Sequence, residues 1–268
     1  PGAAPLARWA NGLDGDEPDP PAPTPAPARE PPQPLAERPA VRPPDPPADP
    51  AGDFVGWAIL DQHTGAVTGS GNLAETSTTA SMIKAWIVAD YLRLTTAGGG
   101  QPTPTRLDQL STIIRDSHNG YTEIVFQEIG AHASVERLIQ HCGLTDSQAV
   151  PYRWSNTRLS PRDTARMGAC LADGRAAGPE WTDWLLAEMR AVRGTGDFGI
   201  RHAFPDDQRA GIAIKNGWIV RTAQDAWHVN CLAIGDGWTM GVLTRYPKEL
   251  GLTHGADLCR ELAAEHLA

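Results

Sequence analysis

The hydrophobic pattern of the chain predicts strands near both ends of a folded region and helices between them. Residues 54–60 form a largely apolar run, FVGWAIL, which is typical of a buried strand. A turn centred on Gly65 leads to a second strand at about residues 66–70, and the two together predict a hairpin. Helices are predicted at residues 81–94, 107–115, 121–129, 134–142, 161–171, 180–190 and 254–266, and further strands at residues 210–215, 227–234 and 239–244.

The order of these elements predicts the fold class. Two strands, a block of helices, three strands and a final helix do not alternate as they would in a parallel βαβ sheet. We therefore expect an α+β protein with one antiparallel five-stranded sheet, built from both ends of the chain and flanked by terminal helices. The helical block then forms an all-helical subdomain, and its boundary with the sheet is a natural place for a cleft.

The first fifty residues differ in composition from the rest of the chain. They contain 17 of the 24 prolines and almost no branched aliphatic side chains. Such a segment cannot bury enough apolar surface to offset its ordering entropy, so residues 1–52 are predicted to form an extended Pro-rich arm or linker. An arm that lies on its own domain or on a neighbour is the alternative. Residues 53–268 are enough for a single domain with a substantial core.

Charge and hydropathy exclude several classes of partner. A net charge of −9 and a pI near 5.3 argue against nucleic acid or an anionic membrane surface as a partner. No apolar run is long enough to cross a bilayer, so no transmembrane segment is predicted. The sequence begins at Pro1 without a Met or a visible signal peptide. We expect a monomeric, mature or truncated form of an exported protein, either secreted or held in the cell envelope.

The cysteines and histidines do not predict a metal site. The four cysteines, at positions 142, 170, 231 and 259, form no C-x-x-C pair, and the eight histidines show no H-E-x-x-H spacing. No metal and no cofactor are predicted. If the expected fold is right, Cys231 on a strand packs against Cys259 on the last helix, and Cys142 and Cys170 lie on neighbouring helices. Two disulfides with that pairing are one interpretation, and four buried free thiols are the other.

Candidate chemistry begins at the tetrad Ser81-Met82-Ile83-Lys84. A serine at the start of a helix lies near unpaired backbone N–H groups and the positive end of the helix dipole. A lysine one turn later lies on the same face, so its amine can reach the serine oxygen. A helix-capping serine with a solvated lysine is the simpler alternative for this tetrad taken alone.

Two further motifs follow the tetrad, and the order of the three argues against a chance occurrence of the tetrad. They are Ser117-His118-Asn119, between two predicted helices, and Lys215-Asn216-Gly217, at the end of a predicted strand. The three motifs together match the serine-x-x-lysine, serine-aspartate-asparagine and lysine-threonine-glycine set of β-lactamases and penicillin-binding proteins. The sequence resembles that superfamily over residues 54–266 and is most similar to the class A β-lactamase type. The resemblance implies a β-lactamase/transpeptidase-like fold.

Two other segments support the resemblance, and two positions depart from it. Residues 194–197 (GTGD) with residues 200–201 are similar to the glycine-aspartate segment that precedes the third motif in that class, and residues 159–163 (LSPRD) resemble its threonine-proline-arginine-aspartate helix start. His118 stands where the family has aspartate, which puts the architecture of the loop in doubt. Asn216 replaces a threonine or serine whose hydroxyl usually binds the substrate carboxylate, although the Asn216 amide can still donate.

The resemblance implies catalytic roles for Ser81, Lys84, Ser117 and Lys215. Ser81 attacks a strained lactam or a D-alanyl-D-alanine-type amide, and it needs a base because an alcohol is a poor nucleophile near neutral pH. Lys84 serves as that base if burial and a second cation, Lys215, lower its pKa. Ser117 relays the proton towards the leaving nitrogen, and Lys215 adds positive charge for the substrate carboxylate.

The resemblance also implies a set of substrate-binding groups. Asn119 would hold Lys84 and the side-chain amide of the substrate, and the backbone N–H groups of Ser81 and Trp218 would form an oxyanion hole. Trp218 would crowd the oxyanion side of the site, or simply pack at its rim. The predicted substrate-binding residues are Asn119, Asn216, Gly217 and Trp218.

One residue expected of a class A β-lactamase is missing. That class carries a glutamate, which activates the deacylating water, on a loop between the second and third motifs. Residues 150–159 (VPYRWSNTRL) contain no acid, and no glutamate occurs between Glu136 and Glu180. Asp146 and Asp163 lie outside the expected position. A domain that can be acylated but lacks this base should lose its acyl group slowly.

Three functions are therefore considered. The first is a penicillin-recognising serine hydrolase, similar to D-Ala-D-Ala peptidases, which acts on a peptidoglycan stem peptide or a β-lactam through a Ser81 acyl-enzyme and deacylates slowly. The second is a β-lactamase with an atypical deacylation route. The third is a non-catalytic envelope protein that keeps the β-lactamase fold. The five motif residues Ser81, Lys84, Ser117, Asn119 and Lys215 argue against loss of the site.

Overall fold

The computed structural model describes residues 52–150 and 153–268. Nearly all of the predicted Pro-rich arm, residues 1–52, lies outside the described residues. The strands are β1 (Phe54–Asp61), β2 (Val67–Gly69), β3 (Ser77–Thr78), β4 (Arg158–Leu159), β5 (Ala213–Ile214), β6 (Gly217–Arg221), β7 (Ala226–Ile234) and β8 (Trp238–Pro247). The α-helices are α1 (Lys84–Ala97), α2 (Pro104–Arg115), α3 (Asn119–Glu128), α4 (His132–Cys142), α5 (Pro161–Ala172), α6 (Pro179–Arg190), α7 (Asp206–Arg209) and α8 (Gly251–His266). Short 3₁₀ turns include Ala80–Ile83, Trp154–Asn156, Gly194–Gly196 and Ile200–Ala203.

The main sheet is antiparallel and runs in the order β2-β1-β8-β7, with β5 and β6 both paired to β7. The α+β prediction is confirmed, but the sheet has six strands where five are predicted. The difference arises at Lys215 and Asn216, where the last strand is interrupted into β5 and β6. Lys215 N still donates to Leu232 O at 3.1 Å, so the chain stays beside β7 across the break. The sequence pattern predicts a strand ending at residue 215 and does not predict β6.

Helices cover both faces of this sheet. Successive side chains of a strand point to opposite faces, and on β1 this places Ala58 and Leu60 against Ala165 of α5. Trp57 points the other way and stacks on His266 of α8, with ring centroids 3.9 Å apart. The predicted final helix is confirmed. A helix that precedes β1 would lie outside the described residues.

The helical part is built around α1, most of whose residues are buried. A helix that is apolar on most sides is expected at the centre of a domain, and α1 contacts α2, α3, α4 and α6. The Trp86 side chain is fully buried, and its Nε1 donates to the Ser134 carbonyl at 2.9 Å. None of the described helices is long and apolar enough to cross a membrane.

Both predicted disulfides are present, so the interpretation as four free thiols is wrong. Cys142–Cys170 joins α4 to α5, and Cys231–Cys259 joins β7 to α8. Gly199 lies against the second bridge with a φ of 78°, and a Cβ atom there would lie 2.7 Å from Cys231 Sγ. Only glycine fits this position, because both the space and the backbone conformation exclude a side chain.

Candidate active site

A 3₁₀ turn, Ala80–Ile83, presents Ser81 at the boundary between the helices and the sheet. In a 3₁₀ turn, residues three apart lie on the same side, so Ser81 and Lys84 share a face as predicted. The α-helix itself begins at Lys84 and not at Ser81. The residues just before the turn hold it in place. Thr79 N donates to Thr157 O at 2.9 Å, and β3, which precedes the turn, pairs with β4.

The Lys84 side chain is fully buried and is bound by the second motif. Its Nζ donates to the Ser117 carbonyl at 2.5 Å, to the Ser117 hydroxyl at 3.2 Å and to Asn119 Oδ1 at 2.7 Å. Burial, together with the charge of Lys215, lowers the pKa of Lys84 from 10.5 to about 6. The predicted direction of this shift and its two causes are confirmed.

Lys215 approaches the same serine from the sheet. Its Nζ donates to the Ser117 hydroxyl at 3.0 Å and to the Asn216 carbonyl at 3.3 Å. Burial lowers the pKa of Lys215 from 10.5 to about 7. Ser117 has a φ of 57°, a left-handed conformation that is uncommon for serine. The hydrogen bond from Lys84 Nζ to the Ser117 carbonyl helps to hold that conformation. The Ser117 hydroxyl accepts from both Lys84 and Lys215, so it bridges the two amines.

The Ser81 hydroxyl is not among the partners of Lys84, contrary to the expectation that the amine reaches the serine oxygen. The hydrogen bonds of Lys84 go to Ser117 and Asn119. Ser81 is half-buried and lines the cleft beside them. Catalytic hydrogen bonds are often loose until substrate is bound, so this geometry is compatible with later transfer of a proton from Ser81 to Lys84.

Gly217 brings the backbone of β6 against the 3₁₀ turn. A Cβ atom at Gly217 would lie 2.2 Å from Thr79 O and 2.8 Å from Ser81 N, so no side chain fits there. Trp218 follows directly, lines the cleft and packs edge-on against Phe198, with ring centroids 5.8 Å apart. The Ser81 and Trp218 segments, which the motifs place far apart in sequence, are therefore neighbours.

His118 caps the helix that carries Asn119. Its Nδ1 accepts a hydrogen bond from Tyr121 N at 3.1 Å, and its ring lies against the Tyr121 ring, 4.3 Å away. An unprotonated imidazole nitrogen therefore occupies the position of a capping carboxylate oxygen. The loop that carries Ser117 and Asn119 is formed without the aspartate of the family.

Asn216 points away from the cleft. Its Nδ2 donates to Gly196 O at 3.0 Å and to Phe198 O at 2.8 Å, and its side chain is buried. Both amide hydrogens are thus used to hold residues 196–198. This arrangement does not support the expectation that the Asn216 amide donates to a substrate, because the carbonyls of Gly196 and Phe198 accept its hydrogens.

The cleft beside Ser81 has a volume of about 440 Å³. It is lined by Ala80, Ser81, Asn119, Gly120, Glu123, Trp154, Ser155, Trp218 and Ile219. Glu123 and Trp154 are residues of the cleft that the motifs do not predict. Trp154 Nε1 donates to Glu123 Oε2 at 3.0 Å, and the Trp154 ring centroid lies 4.8 Å from Lys84 Nζ. The signal for Glu123 is its position four residues after Asn119, which places both on one face of α3.

The two aspartates near the loop have other roles. Asp163 accepts from Asp146 N at 2.7 Å and from Ser147 Oγ at 2.7 Å. Asp146 accepts from Ser160 Oγ at 2.7 Å and pairs with Arg162 at 2.6 Å. These carboxylates stabilise the start of the loop and of α5. Neither lines the cleft, in agreement with their position outside the expected site of a deacylating acid.

Solved β-lactamase structures share this fold. The β-lactamase from Chitinophaga pinensis is 18% identical, with a TM-score of 0.64, over 78% of this chain and 91% of that one. The class A β-lactamase from Mycobacterium abscessus is 18% identical, with a TM-score of 0.62, over 80% of this chain and 92% of that one. The β-lactamase from Burkholderia vietnamiensis is 17% identical, with a TM-score of 0.64, over 80% and 90%. At these identities the likeness is one of fold.

A sequence comparison extends the likeness from fold to family. No curated protein sequence matches the chain. The model of the Beta-lactamase enzyme family matches residues 101–267, more than half of the chain. The matched region contains the second and third motifs, and the fold brings the first motif, Ser81 to Lys84, against both. The chain therefore belongs to the β-lactamase enzyme family.

Proposed function

We propose that the protein is a penicillin-recognising serine hydrolase that forms an acyl-enzyme on Ser81 and releases it slowly. Its substrate is a β-lactam or the D-alanyl-D-alanine-type amide of a peptidoglycan stem peptide. The observation that carries the proposal is the pair of buried amines, Lys84 and Lys215, joined through the Ser117 hydroxyl at 3.2 and 3.0 Å. A lysine whose pKa is about 6 is largely neutral at pH 7 and can accept a proton.

Acylation would proceed by transfer of the Ser81 proton. Ser81 Oγ forms a bond to the carbonyl carbon of the substrate while its proton passes to the neutral Lys84 amine. The bond from that carbon to the amide nitrogen then breaks. The leaving nitrogen takes a proton from the Ser117 hydroxyl, which is replaced by the one held on Lys84. The contact between Lys84 Nζ and Ser117 Oγ supports this relay.

Groups that could bind the substrate lie around Ser81 and Ser117. The Lys215 amine lies within hydrogen-bond distance of Ser117 and supplies positive charge for a substrate carboxylate when it is protonated. The close approach of β6 to the 3₁₀ turn supports an oxyanion hole made by the N–H groups of Ser81 and Trp218. Loss of one such donor costs about 3 kcal/mol of transition-state stabilisation in enzymes of this kind.

Slow deacylation is supported by the loop at residues 153–157. Residues 153–157 include no acid, and the Trp154 ring lies over Lys84 with its centroid 4.8 Å from Nζ. Among the described residues that line the cleft, Glu123 is the one acidic side chain, and its carboxylate accepts from Trp154. The presence of Glu123 in the cleft favours one alternative, a β-lactamase with an atypical deacylation route.

Incubation with a fluorescent penicillin, followed by intact mass over time, tests the proposal. We expect an adduct of one penicillin on the wild type, which persists after free penicillin is removed, and none on Ser81→Ala. A transient adduct with steady penicillin consumption would support the β-lactamase alternative. If neither penicillin nor a D-alanyl-D-alanine peptide acylates the wild type, the proposal is wrong and the non-catalytic interpretation is favoured.

We also propose that the domain, residues 53–268, acts outside the cytoplasm. All four cysteines are paired in disulfides, which persist in oxidising compartments. Residues 1–52, nearly all of which lie outside the described residues, would serve as a tether. Fractionation of the producing cells tests the location: the protein should be recovered in the extracytoplasmic fraction with no thiol that reacts before reduction. Recovery in the cytoplasm with free thiols would contradict it.

A further inference from the structure

The Lys84 amine is surrounded by contacts from Ser117, Asn119 and Trp154. Ser117 and Asn119 supply three oxygen partners at 2.5 to 3.2 Å. The face of the Trp154 ring lies over the same nitrogen at 4.8 Å, within the range of a cation–π contact. The Lys84 side chain has no exposed surface. On the side of the Trp154 ring, a water molecule can reach Nζ only if the indole moves.

Two contacts hold the Trp154 indole in place. Its Nε1 donates to Glu123 Oε2 at 3.0 Å, and the other oxygen of Glu123 accepts from Gln127 Nε2 at 2.9 Å. The next carbonyl along the loop, that of Ser155, accepts from Arg221 Nη2 on β6 at 2.8 Å. The indole is thereby anchored to α3, and the backbone that follows it is anchored to the sheet.

We propose that Trp154 is a positioning residue that covers the Lys84 amine, keeps water from it and so prolongs the life of the Ser81 acyl-enzyme. The inference rests on the proposed function, since it concerns the acyl group formed there. Glu123 acts through Trp154 by holding the indole. The loop at residues 153–157 thus carries an apolar cover for the amine.

The chemistry of deacylation explains the effect of such a cover. A water oxygen must bond to the acyl carbon while the bond from that carbon to Ser81 Oγ breaks. One proton of the water passes to a base, and a proton returns to Ser81 Oγ. The neutral Lys84 amine could carry out both transfers, but only for a water within hydrogen-bond distance of Nζ. The face of the indole lies 4.8 Å from Nζ, which leaves no room for a water between them, and it offers no strong hydrogen-bonding group.

The decay of a purified penicillin adduct tests the proposal in two variants of Glu123, which is exposed, and two variants of Trp154. Glu123→Ala removes the acceptor of Trp154 Nε1 and should accelerate loss of the adduct about tenfold, a change of about 1.4 kcal/mol in the barrier. Glu123→Gln keeps an oxygen acceptor, so its adduct should last as long as that of the wild type. Trp154→Ala should match Glu123→Ala, and Trp154→Phe, which keeps a ring but loses the N–H, should fall between.

Other outcomes overturn the proposal. Equal lifetimes for wild type, Glu123→Ala and Trp154→Ala would show that the indole does not limit deacylation. A slower loss of the adduct in Glu123→Gln would show that Glu123 is itself the base. These outcomes leave the proposed function intact, because each requires that an adduct forms.

A second measurement tests the cover without any acylation. In protein labelled with ¹⁵N-lysine, the amine protons of Lys84 should exchange with water faster in Trp154→Ala than in the wild type, because the indole no longer covers Nζ. An unchanged exchange rate would refute the cover. If the wild type forms no adduct with any substrate, the proposed function fails, and the exchange rate still decides whether Trp154 shields the amine.

Discussion

At the scale of single residues, the site depends on two lysines that the fold keeps out of water. Burial disfavours the ammonium form of each, and for Lys84 the nearby Lys215 charge adds to the effect. Hydrogen bonds from Lys84 to Ser117 and Asn119 favour its charged form in turn, but desolvation is the larger effect, since the pKa falls to about 6. Burial alone lowers the pKa of Lys215, to about 7.

The rate of acylation should therefore depend on pH in a bell-shaped manner. It rises as Lys84 loses its proton near pH 6, and it falls as Lys215 loses the positive charge that attracts the substrate carboxylate near pH 7. The second-order rate constant, measured with a fluorescent penicillin from about pH 5 to about pH 9, checks this expectation. A penicillin esterified at its carboxylate should keep the rising limb and lose the falling one. A constant that is flat below pH 7 would contradict the role of Lys84 as base.

Asn216 should affect stability more than substrate binding, because its amide is committed to two backbone carbonyls. Asn216→Ala leaves the carbonyls of Gly196 and Phe198 without their donor, at a cost of about 1–3 kcal/mol for a buried unsatisfied group. Urea denaturation measures this loss, and the acylation rate constant of the same variant should change less than about threefold. A large fall in acylation with unchanged stability would show that the amide does contact the substrate.

At the scale of elements, the start of α3 is what places Asn119, Glu123 and the Ser117 carbonyl. His118 Nδ1 satisfies the N–H of Tyr121, one of the backbone groups left unpaired at a helix start. The cap therefore stabilises both the loop before the helix and the face that lines the cleft. An imidazole supplies this acceptor as long as Nδ1 is unprotonated.

Substitutions of His118 separate capping from catalysis. His118→Ala should lower the free energy of unfolding by about 1 kcal/mol. His118→Asp should restore that stability, because a carboxylate also accepts from Tyr121 N and interacts favourably with the helix dipole. Urea denaturation gives the two differences. If the His118→Ala and His118→Asp variants have the same free energy of unfolding, the imidazole does not act as a cap.

Local patterns predict the elements of this fold well, and they predict the contacts between distant segments poorly. The helices follow from local periodicity, whereas the pairing of Cys231 on β7 with Cys259 on α8 is only one of two interpretations that the sequence allows. The interruption between β5 and β6 does not follow from local periodicity, because it depends on Asn216 bonding to carbonyls about twenty residues earlier. The contact between Glu123 and Trp154 is likewise not evident in the sequence, since the two residues lie 31 positions apart and no motif links them.

At the scale of the whole domain, the two disulfides stabilise different parts of one structure. Cys142–Cys170 closes a loop within the helical part, and Cys231–Cys259 fixes α8 to the sheet next to Gly199. Each joins residues 28 positions apart. The loss of chain entropy in the unfolded state depends on that separation, so the two bridges should restrict the unfolded chain to the same extent.

Removal of either bridge by paired Cys→Ala substitutions should therefore lower the free energy of unfolding by a similar amount, about 3–4 kcal/mol. Urea denaturation of the two double variants, beside the oxidised wild type, measures the losses.

Because each bridge acts on the unfolded chain, both variants should still form the penicillin adduct at temperatures where they are folded. The Cys231–Cys259 bridge gives the stricter test, because Cys231 is next to Leu232, whose carbonyl accepts from Lys215 N. If removal of the Cys231–Cys259 bridge abolishes the adduct in a folded protein, the bridge holds the third motif in place and does more than restrict the unfolded chain.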